Sequence, residues 1–354
     1  MGARGGSHRI FVGTYTRGAS RGIYSVTLDS ATGALGAPGL AAKAPNPTFL
    51  ALSPGRDLLY AVCAGPAWAS SFRIDPASPR LIPVQQAAAG DGPTPCHVAV
   101  DRTGSIALAA NYHLGLAAAI PLSADGAIGI PRVVAHTGRG THPSRQTSSH
   151  VHSANFSPDN RFAVVCDLGL DRIYTYAIDR DAVALVPGSP PYVSAAPGSG
   201  PRHLAFDGTG RRAYAINELD STVVGYRYDP STGALGPGQA VSVIPDGWEG
   251  GATAAEIAIH PNGRFLYCSC RGPDILSVFA IDGPTGALSP VETVPCGGRG
   301  PRHFSISPDG EWLVCAHQDS DTLCAFRADG GTGRLRRIPG CAPVPTPVCA
   351  LFLD

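Results

Sequence analysis

The sequence contains few charged residues and has no excess of either sign. Asp, Glu, Lys and Arg make up 15% of the 354 residues, against about 25% in typical soluble domains. The 27 Lys and Arg residues balance the 27 Asp and Glu residues, so the formal net charge is zero. Nucleic acids and anionic membrane surfaces are bound through a basic excess. We therefore expect no nucleic-acid partner and no membrane partner.

Long apolar runs are also missing. The first residues, MGARGGSHRIFVGTYT, contain no apolar stretch of signal-peptide length, and no later window is long enough to span a membrane. The 10 cysteines include no CxxC pair and fall mostly inside apolar runs such as AVCA and VVCD. These patterns predict a cytoplasmic protein whose cysteines are buried free thiols and bind no metal.

Helical periodicity is absent, whereas the period-2 alternation typical of strands recurs throughout. Six segments, from LALSPGRDLLYAVC to FSISPDGEWLVCAH, consist of two apolar runs joined by a tight turn. These turns begin 47 to 56 residues apart, at Ser53, Asp101, Ser157, Asp207, His260 and Ser307. A third run and a TGAL-type hairpin follow most of them, as in LSVFAIDGPTGAL. Four strands repeated at a period near 50 are typical of propeller blades.

The two ends of the chain supply a seventh repeat. The C-terminal TPVCALFLD resembles the first strand of a repeat, and HRIFVGTYTRGASRGIYSVTLD near the N-terminus resembles the second and third. A blade built from both ends would close the ring and remove an exposed sheet edge. We therefore predict an all-β fold, a seven-bladed β-propeller, in one domain of residues 1–354 with residues 1–8 flexible.

Polar residues recur where the first strand of a repeat begins and where the second ends. The tetrapeptide GPRH occurs twice at such a start. Because these strands are antiparallel neighbours, the two positions should lie side by side at one mouth of the central channel. The predicted pairs are His97 with Asn111, His152 with Asp167, Arg202 or His203 with Glu218, Glu256 with Arg271, and Arg302 or His303 with Gln318.

One spacing, of 56 residues, is longer than the others and contains HTGRGTHPSRQTSSHVHSANF. This segment reaches the same mouth at His152, and we expect it to form a flap over a ligand with Arg145 and His150 facing the ligand. The HVH pair alone is weak support for a metal site, because arginines rather than carboxylates surround it.

Segments such as RQTSSHVHSANFSPDNRFAVVCD, GPRHLAFDGTGRRAYAINELD and AAEIAIHPNGRFLYCSCRG resemble the lactonase family of seven-bladed propellers over nearly the whole chain. The resemblance implies a carboxylic ester hydrolase that opens a sugar lactone without metal or other cofactor. The implied substrate is 6-phosphogluconolactone, hydrolysed to 6-phosphogluconate in the pentose phosphate pathway. The family's catalytic set of His, Arg, Glu and Arg falls on His152, Arg202, Glu218 and Arg271.

The remaining polar residues of the mouth are predicted to bind an anionic lactone substrate; they are Asn111, Arg145, His150, His203, Glu256, Arg302, His303 and Gln318. Either His152 or Glu218 could activate water, and Arg202 and Arg271 could hold an anionic group. Because all four implied catalytic side chains should end in a solvent-filled mouth, we expect their loss to change stability by only about 0.5 kcal/mol.

Three alternatives stay open from the sequence alone. A cycloisomerase of the carboxy-muconate cyclase type belongs to a related family. A non-catalytic propeller could use the polar mouth to dock a ligand or a protein. A metal-dependent lactonase propeller ranks lower, because the mouth is rich in Arg and His rather than in carboxylates. The oligomeric state is not predicted.

Overall fold

The computed structural model describes residues 6–63, 67–88 and 95–354. In these ranges the chain forms 28 strands in seven antiparallel four-stranded sheets, and it contains no helix. The predicted all-β seven-bladed propeller is confirmed. No helix that could cross a membrane occurs within the same ranges.

The chain begins with three strands of the closing sheet, which we call blade 7: β1 (Ser7–Thr14), β2 (Gly22–Asp29) and β3 (Gly39–Lys43). Blade 1 contains β4 (Phe49–Leu52), β5 (Leu58–Val62), β6 (Ala67–Ile74) and β7 (Leu81–Ala88). Blade 2 contains β8 (His97–Val100), β9 (Ile106–Asn111), β10 (Leu116–Pro121) and β11 (Arg132–Ala135). Blade 3 contains β12 (Val151–Phe156), β13 (Phe162–Asp167), β14 (Arg172–Asp179) and β15 (Ala184–Ser194).

The second half of the chain repeats this order. Blade 4 contains β16 (Pro201–Phe206), β17 (Arg212–Asn217), β18 (Thr222–Tyr228) and β19 (Leu235–Ser242). Blade 5 contains β20 (Thr253–Ile259), β21 (Phe265–Arg271), β22 (Ile275–Ile281) and β23 (Leu288–Pro295). Blade 6 contains β24 (Pro301–Ile306), β25 (Trp312–His317), β26 (Thr322–Ala328) and β27 (Leu335–Pro343). The last strand, β28 (Pro347–Phe352), returns to blade 7.

Both ends of the chain build blade 7, as the sequence predicts. Strand β28 pairs antiparallel with β1, so that Phe11 lies opposite Leu351 and Val12 opposite Ala350. The sheet order β28-β1-β2-β3 makes β28 the inner strand of this blade. The N-terminal segment predicted to be flexible covers residues 1–8. Residues 1–5 of it lie outside the described ranges, and β1 already begins at Ser7.

The apolar core is divided into seven clusters, each lying between two neighbouring blades. Trp312 of blade 6, for example, is buried with Ile10 of blade 7, and Phe11 on the other face of β1 is buried with Leu59 of blade 1. Every blade therefore buries apolar side chains on both faces. As a consequence, the seven interfaces hold the inner strands, and the polar residues at their ends, around one channel.

The TGAL-type hairpins contribute to this packing between blades. Gly333 has a left-handed φ of 77°, which favours glycine, and a Cβ built there would lie 2.4 Å from the Phe265 ring of the preceding blade. The hairpin can approach its neighbour this closely only because the position is a glycine.

Two cysteines differ from the expectation of free thiols. Cys324 in β26 and Cys341 in β27 are opposite each other in the strand register, with Cα atoms 4.5 Å apart, and they form a disulfide. The expectation was wrong for this pair because only short-range CxxC spacing was considered, whereas antiparallel pairing brings residues 17 positions apart together. Eight other cysteines are free thiols.

Candidate active site

A cavity of about 510 Å³ occupies the end of the channel where the inner strands begin. Eight of the residues predicted from the sequence line it, namely Arg145, His152, Arg202, His203, Glu218, Arg271, Arg302 and His303. They come from blades 3 to 6 and from the long segment before blade 3. The fold therefore brings to one place side chains that are separated by up to 158 positions in the chain, the interval from Arg145 to His303.

The two GPRH segments place the Arg and His side chains of blades 4 and 6 at the mouth of the channel through a fixed backbone conformation. Gly200 and Gly300 have left-handed φ angles of 67° and 66°. Their carbonyl groups accept hydrogen bonds from the backbone N–H groups of Glu218 and Gln318, at 2.8 and 3.0 Å. Each glycine therefore connects the start of an inner strand to the end of the second strand.

The strand register differs from the predicted pairs, because bulges interrupt the inner strands. Val151 pairs with Asp167 and Ser153 with Cys166, so His152 is the extra residue of a bulge. Arg202 and Arg302 occupy the same extra position in blades 4 and 6, and Glu256 lies within the bulge of blade 5. His97 pairs with Ala110 rather than with Asn111. The predicted pairs were wrong by one to three residues, the largest error being in blade 5, where Arg271 pairs with Thr253 rather than with Glu256. Alternation alone does not reveal a bulge.

Glu218 is the centre of an ion-pair network in the cavity. Its carboxylate contacts the guanidinium groups of Arg145, Arg202 and Arg271, the last two at 3.1 Å. Burial alone would raise the pKa of Glu218, but the charges of Arg271 and Arg202 and the bonded Arg145 outweigh burial and lower the pKa to about 2. The carboxylate is therefore ionised at neutral pH, and its oxygen atoms are occupied by guanidinium groups.

The network is more buried than the sequence suggested. Arg202 is 2% exposed and Glu218 is 4% exposed, and the Arg202 Nη1 donates a hydrogen bond to the Ala255 carbonyl at 2.6 Å. The expectation that these side chains end in solvent is wrong for this pair, and the small effect on stability was expected from that exposure. Removing the Glu218 carboxylate would leave three guanidinium groups facing one another, and the loss of one partner of a buried pair costs about 3–5 kcal/mol.

His152 lies beside this network without joining it. Its Nε2 is 3.8 Å from Glu218 Oε2, longer than a hydrogen bond, and its Nδ1 is buried without a hydrogen-bond partner among the described residues. Burial, followed by the charge of Arg202, lowers the pKa of His152 well below 6.5. The imidazole is therefore neutral at pH 7 and has an unpaired ring nitrogen.

A second layer of polar side chains closes the bottom of the cavity. Glu256 accepts a hydrogen bond from His203 Nδ1 at 3.1 Å, and His303 Nε2 lies 3.4 Å from the same carboxylate. His303 Nδ1 accepts a hydrogen bond from the Ala350 N–H, which leaves Nε2 as the protonated nitrogen. The ring of Phe49 packs edge-on against His203 and His303. Glu256 thus lies under the cavity rather than in its wall.

These buried imidazoles should make the fold sensitive to acid. Burial is the main cause that lowers the pKa of His97, His152 and His203 well below 6.5 and that of His303 to about 4. The unfolded chain binds protons at these positions below about pH 6.5 and the folded chain does not, so stability falls as the pH drops through that range. Each imidazole that stays neutral in the folded protein lowers the free energy of unfolding by up to about 1.4 kcal/mol for each pH unit below about 6.5.

We therefore expect the urea midpoint of unfolding to be clearly lower at pH 5 than at pH 7. Replacing His303 by Gln should reduce this difference, because one of the titrating groups is then missing. Equal urea midpoints at the two pH values, with the same dependence of the unfolding free energy on urea concentration, would show that the imidazoles do not stay neutral in the folded protein.

The long segment before blade 3 is held by buried hydrogen bonds and forms a fixed wall rather than a free flap. The side-chain oxygen of Gln146 accepts from the N–H groups of Thr141 and His142, and its Nε2 donates to the carboxylate of Asp171 at 2.7 Å. At its far end, Asp167 accepts hydrogen bonds from the Ser149 hydroxyl and the His150 N–H. These bonds hold Arg145 against Glu218.

Besides Glu256, three predicted substrate-binding residues do not line the cavity. His150 stacks on Tyr112, with ring centroids 4.3 Å apart, and its Nδ1 donates to the Tyr112 carbonyl at 2.9 Å. The side-chain oxygen of Asn111 accepts from the Leu114 N–H in the following turn. Gln318 is half-buried, and its Nε2 contacts Asp319 at 3.3 Å. In the structure these side chains support turns next to the cavity.

Sequence reasoning missed several cavity residues that lie in connections between strands or blades. Tyr15, Asn46, Thr48 and Tyr112 line the cavity, and each follows or precedes a strand rather than occupying a repeated motif. Tyr112 follows the second strand of blade 2 directly, so the reasoning that selected Asn111 could have selected it. No repeated signal marks Tyr15 or Asn46.

Groups of three or more His, Cys, Asp or Glu side chains able to hold a metal ion are absent from residues 6–63, 67–88 and 95–354. The polar wall of the cavity consists mainly of arginines and imidazoles, which suit an anionic ligand. The fold and this wall together define a propeller with an anion-binding cavity at one mouth of its channel.

The comparisons with known proteins identify the family. The family model described as "Lactonase, 7-bladed beta-propeller" matches residues 9–352. A relative named 6-phosphogluconolactonase from Bacillus subtilis (strain 168) is 39% identical over 346 residues, which is 97% of each chain. The chain therefore belongs to the lactonase family of seven-bladed β-propellers, and the expected carboxylic ester hydrolase is confirmed at this level.

Solved structures agree with this assignment over the whole chain. A protein from Lactobacillus plantarum superposes with a TM-score of 0.92 at 35% identity, covering 99% of this chain and 100% of its own. The periplasmic gluconolactonase PpgL from Pseudomonas aeruginosa superposes with a TM-score of 0.91 at 32% identity, covering 99% of both chains. The fold is thus shared over nearly the whole chain with a protein described as a gluconolactonase.

Proposed function

We propose that this cavity hydrolyses a phosphorylated sugar lactone without a metal ion, with 6-phosphogluconolactone as the substrate and 6-phosphogluconate as the product. The observation that carries the proposal is the neutral His152 with its unpaired nitrogen, placed beside the arginine network around Glu218. Membership of the lactonase family and the name of the Bacillus subtilis relative support the choice of substrate. The proposed metabolic role is the corresponding step of the pentose phosphate pathway, and the cytoplasm stays the predicted location.

His152 is the proposed general base. It takes a proton from a water molecule while the water oxygen bonds to the lactone carbonyl carbon. Glu218 is less suited to this step, because its pKa of about 2 leaves it with little affinity for a proton at neutral pH. Its charge instead stabilises the imidazolium that forms 3.8 Å away.

The arginines are the proposed oxyanion donors. As the water adds, the carbonyl oxygen becomes negatively charged, and guanidinium groups fixed in a buried site stabilise that charge. Arg202 is held by Glu218 and by the Ala255 carbonyl, so its orientation is set before the substrate binds. The tetrahedral intermediate then collapses, the bond from the carbonyl carbon to the ring oxygen breaks, and the imidazolium returns its proton to that oxygen.

The test is a turnover assay on 6-phosphogluconolactone beside unphosphorylated gluconolactone, with the rate in buffer alone subtracted. We expect hydrolysis of the phosphorylated lactone, unchanged after exhaustive dialysis against EDTA. No rate above the buffer background on either lactone would contradict the proposal and favour the cycloisomerase or docking alternatives. Loss of the rate on chelation, restored by Ca²⁺ or Zn²⁺, would assign the protein to the metal-dependent class.

A further inference from the structure

Arg302 differs from the other arginines of the cavity. Arg145, Arg202 and Arg271 all contact the Glu218 carboxylate, and Arg271 also donates to the carbonyl groups of Thr253 and Ala254. Arg302 has no ion-pair partner among the described carboxylates. Its guanidinium lies over the ring of Tyr15, 5.7 Å from the centroid, and faces the cavity half-buried.

The charges around the cavity do not balance. Among residues 6–63, 67–88 and 95–354, its wall and floor contain four guanidinium groups, those of Arg145, Arg202, Arg271 and Arg302, against two carboxylates, those of Glu218 and Glu256. Four minus two leaves an excess of two positive charges, and the buried imidazoles of His152, His203 and His303 are neutral. A doubly charged anion would neutralise this excess, and Arg302 is the cavity arginine that contacts no carboxylate in the described part of the chain.

Two further donors lie on the same side of the cavity as Arg302. Asn46 and Thr16 are bonded reciprocally, since the Thr16 N–H donates to the Asn46 Oδ1 at 2.9 Å and the Asn46 N–H donates to the Thr16 hydroxyl at 3.0 Å. This pair occupies the amide oxygen of Asn46 and leaves its NH₂ group for the cavity. The backbone of Tyr15 is fixed to Thr346 at 3.1 Å, and its phenol supplies another donor.

We propose that Arg302, Asn46 and Tyr15 form a recognition site for a phosphate monoester, separate from the catalytic network around Glu218. The inference rests on the proposed function and assigns one residue set to the phosphate of the substrate. Blades 6 and 7, with the connection to blade 1, supply this site, whereas blades 3 to 5 supply His152 and the residues around Glu218. The carbonyl carbon of the lactone and its phosphate would thus be held by different blades.

The chemistry of the three side chains fits a phosphate dianion. A free guanidinium can bind two phosphate oxygens side by side, and hydrogen bonds to a charged group are stronger than neutral ones. The amide and the phenol can donate to the remaining oxygens. Arg271, which the sequence suggested as an anion clamp, already binds Glu218 and two carbonyl groups, so it is less available for this task.

The first test is direct binding of inorganic phosphate, measured by calorimetry on the full-length protein. Arg302→Gln should weaken phosphate binding by about 10- to 100-fold, as expected for the loss of a charge-assisted bond. Arg299→Gln is the matched control, because it removes the same charge three positions away on an exposed side chain that donates to the Asp319 carbonyl outside the cavity. It should bind phosphate as the wild type does.

Unchanged phosphate binding in Arg302→Gln, or no saturable phosphate binding by the wild type, would overturn the inference. Melting curves of the two variants should match the wild type, so that a loss of binding reports on the site. Asn46→Ala and Tyr15→Phe should each also weaken phosphate binding, but by a smaller factor than Arg302→Gln.

The second test separates this inference from the proposed function. The ratio of kcat/KM for 6-phosphogluconolactone to kcat/KM for gluconolactone should fall by about 10- to 100-fold in Arg302→Gln, mainly through KM for the phosphorylated substrate. A wild type that hydrolyses neither lactone contradicts the proposed function, while phosphate calorimetry still tests the site. A variant that loses both substrates equally contradicts the site and leaves the proposed function intact.

Discussion

A chain that ends at Pro345 is expected to lose the cooperative unfolding transition of the full-length protein. The missing segment, residues 346–354, contains β28, the inner strand of blade 7. Ala350 and Phe352 are buried against blade 6, whereas Cys349 on the other face is buried against blade 1. Deletion therefore removes part of two inter-blade clusters at once and leaves an open ring with the edge of β1 unpaired.

The expected effect is comparable to the whole stability of a domain. Burying one large apolar side chain contributes about 1.5–3 kcal/mol, and a typical domain is stable by only about 5–15 kcal/mol. Circular dichroism melting and limited proteolysis would measure the effect. A shorter deletion that removes only the exposed Asp354 should keep the transition, and a truncated chain that melts at the wild-type temperature would refute the closure argument.

The blades could be predicted from the sequence because they repeat. Two apolar runs around a turn recur six times, so each copy supports the interpretation of the others. The N-terminal and C-terminal segments each match only part of a repeat, which predicts that together they form the seventh blade. The predicted polar mouth was also found where the first strands begin. Residues such as His152, Arg202 and Arg302 could be placed there because they share one position of the repeat.

Other features could not be predicted, because they depend on departures from the repeat. The bulges that contain Arg202 and Arg302 shift the register by one residue without changing the apolar pattern. Nothing local distinguishes Arg302, which has no ion-pair partner in the described ranges, from Arg202, which is bonded to Glu218. Asn46 lies in a connection between blades, where no second copy marks its position.

The Glu218 network also explains why the general base could not be assigned from the sequence. A carboxylate and an imidazole at one mouth are both suitable bases by residue type, and only their partners distinguish them. Three guanidinium groups contact Glu218, whereas His152 Nδ1 has no partner among the described residues. The three arginines come from three different segments of the chain, and only the folded ring brings them to Glu218.

Replacing His152 by Ala should lower kcat by about 10²- to 10⁴-fold, as expected for the loss of a general base. The protein should stay folded, because His152 forms no hydrogen bond within the described residues through its Nδ1 and no ion pair shorter than 3.8 Å. His260→Ala is a matched control: this histidine is equally buried, at 4% exposure, and bonds the Gly310 carbonyl near the opposite mouth of the channel. It should keep wild-type turnover per folded molecule.

The pH profile decides between His152 and Glu218 as the base. A base acts in its deprotonated form, so with His152 as the base kcat/KM of the wild type should be flat at neutral pH and fall only below about pH 6.5, as the lowered pKa of His152 requires. Initial rates after a rapid change of pH keep acid unfolding out of the measurement.

Two variants test this assignment. In Glu218→Gln the fall of kcat/KM at acidic pH, the acid limb, should persist at a reduced overall rate, because the imidazole is still present. In His152→Ala the limb should disappear from the residual activity. If His152→Ala keeps both the rate and the acid limb while Glu218→Gln loses them, the carboxylate is the base and the role proposed for the imidazole is wrong.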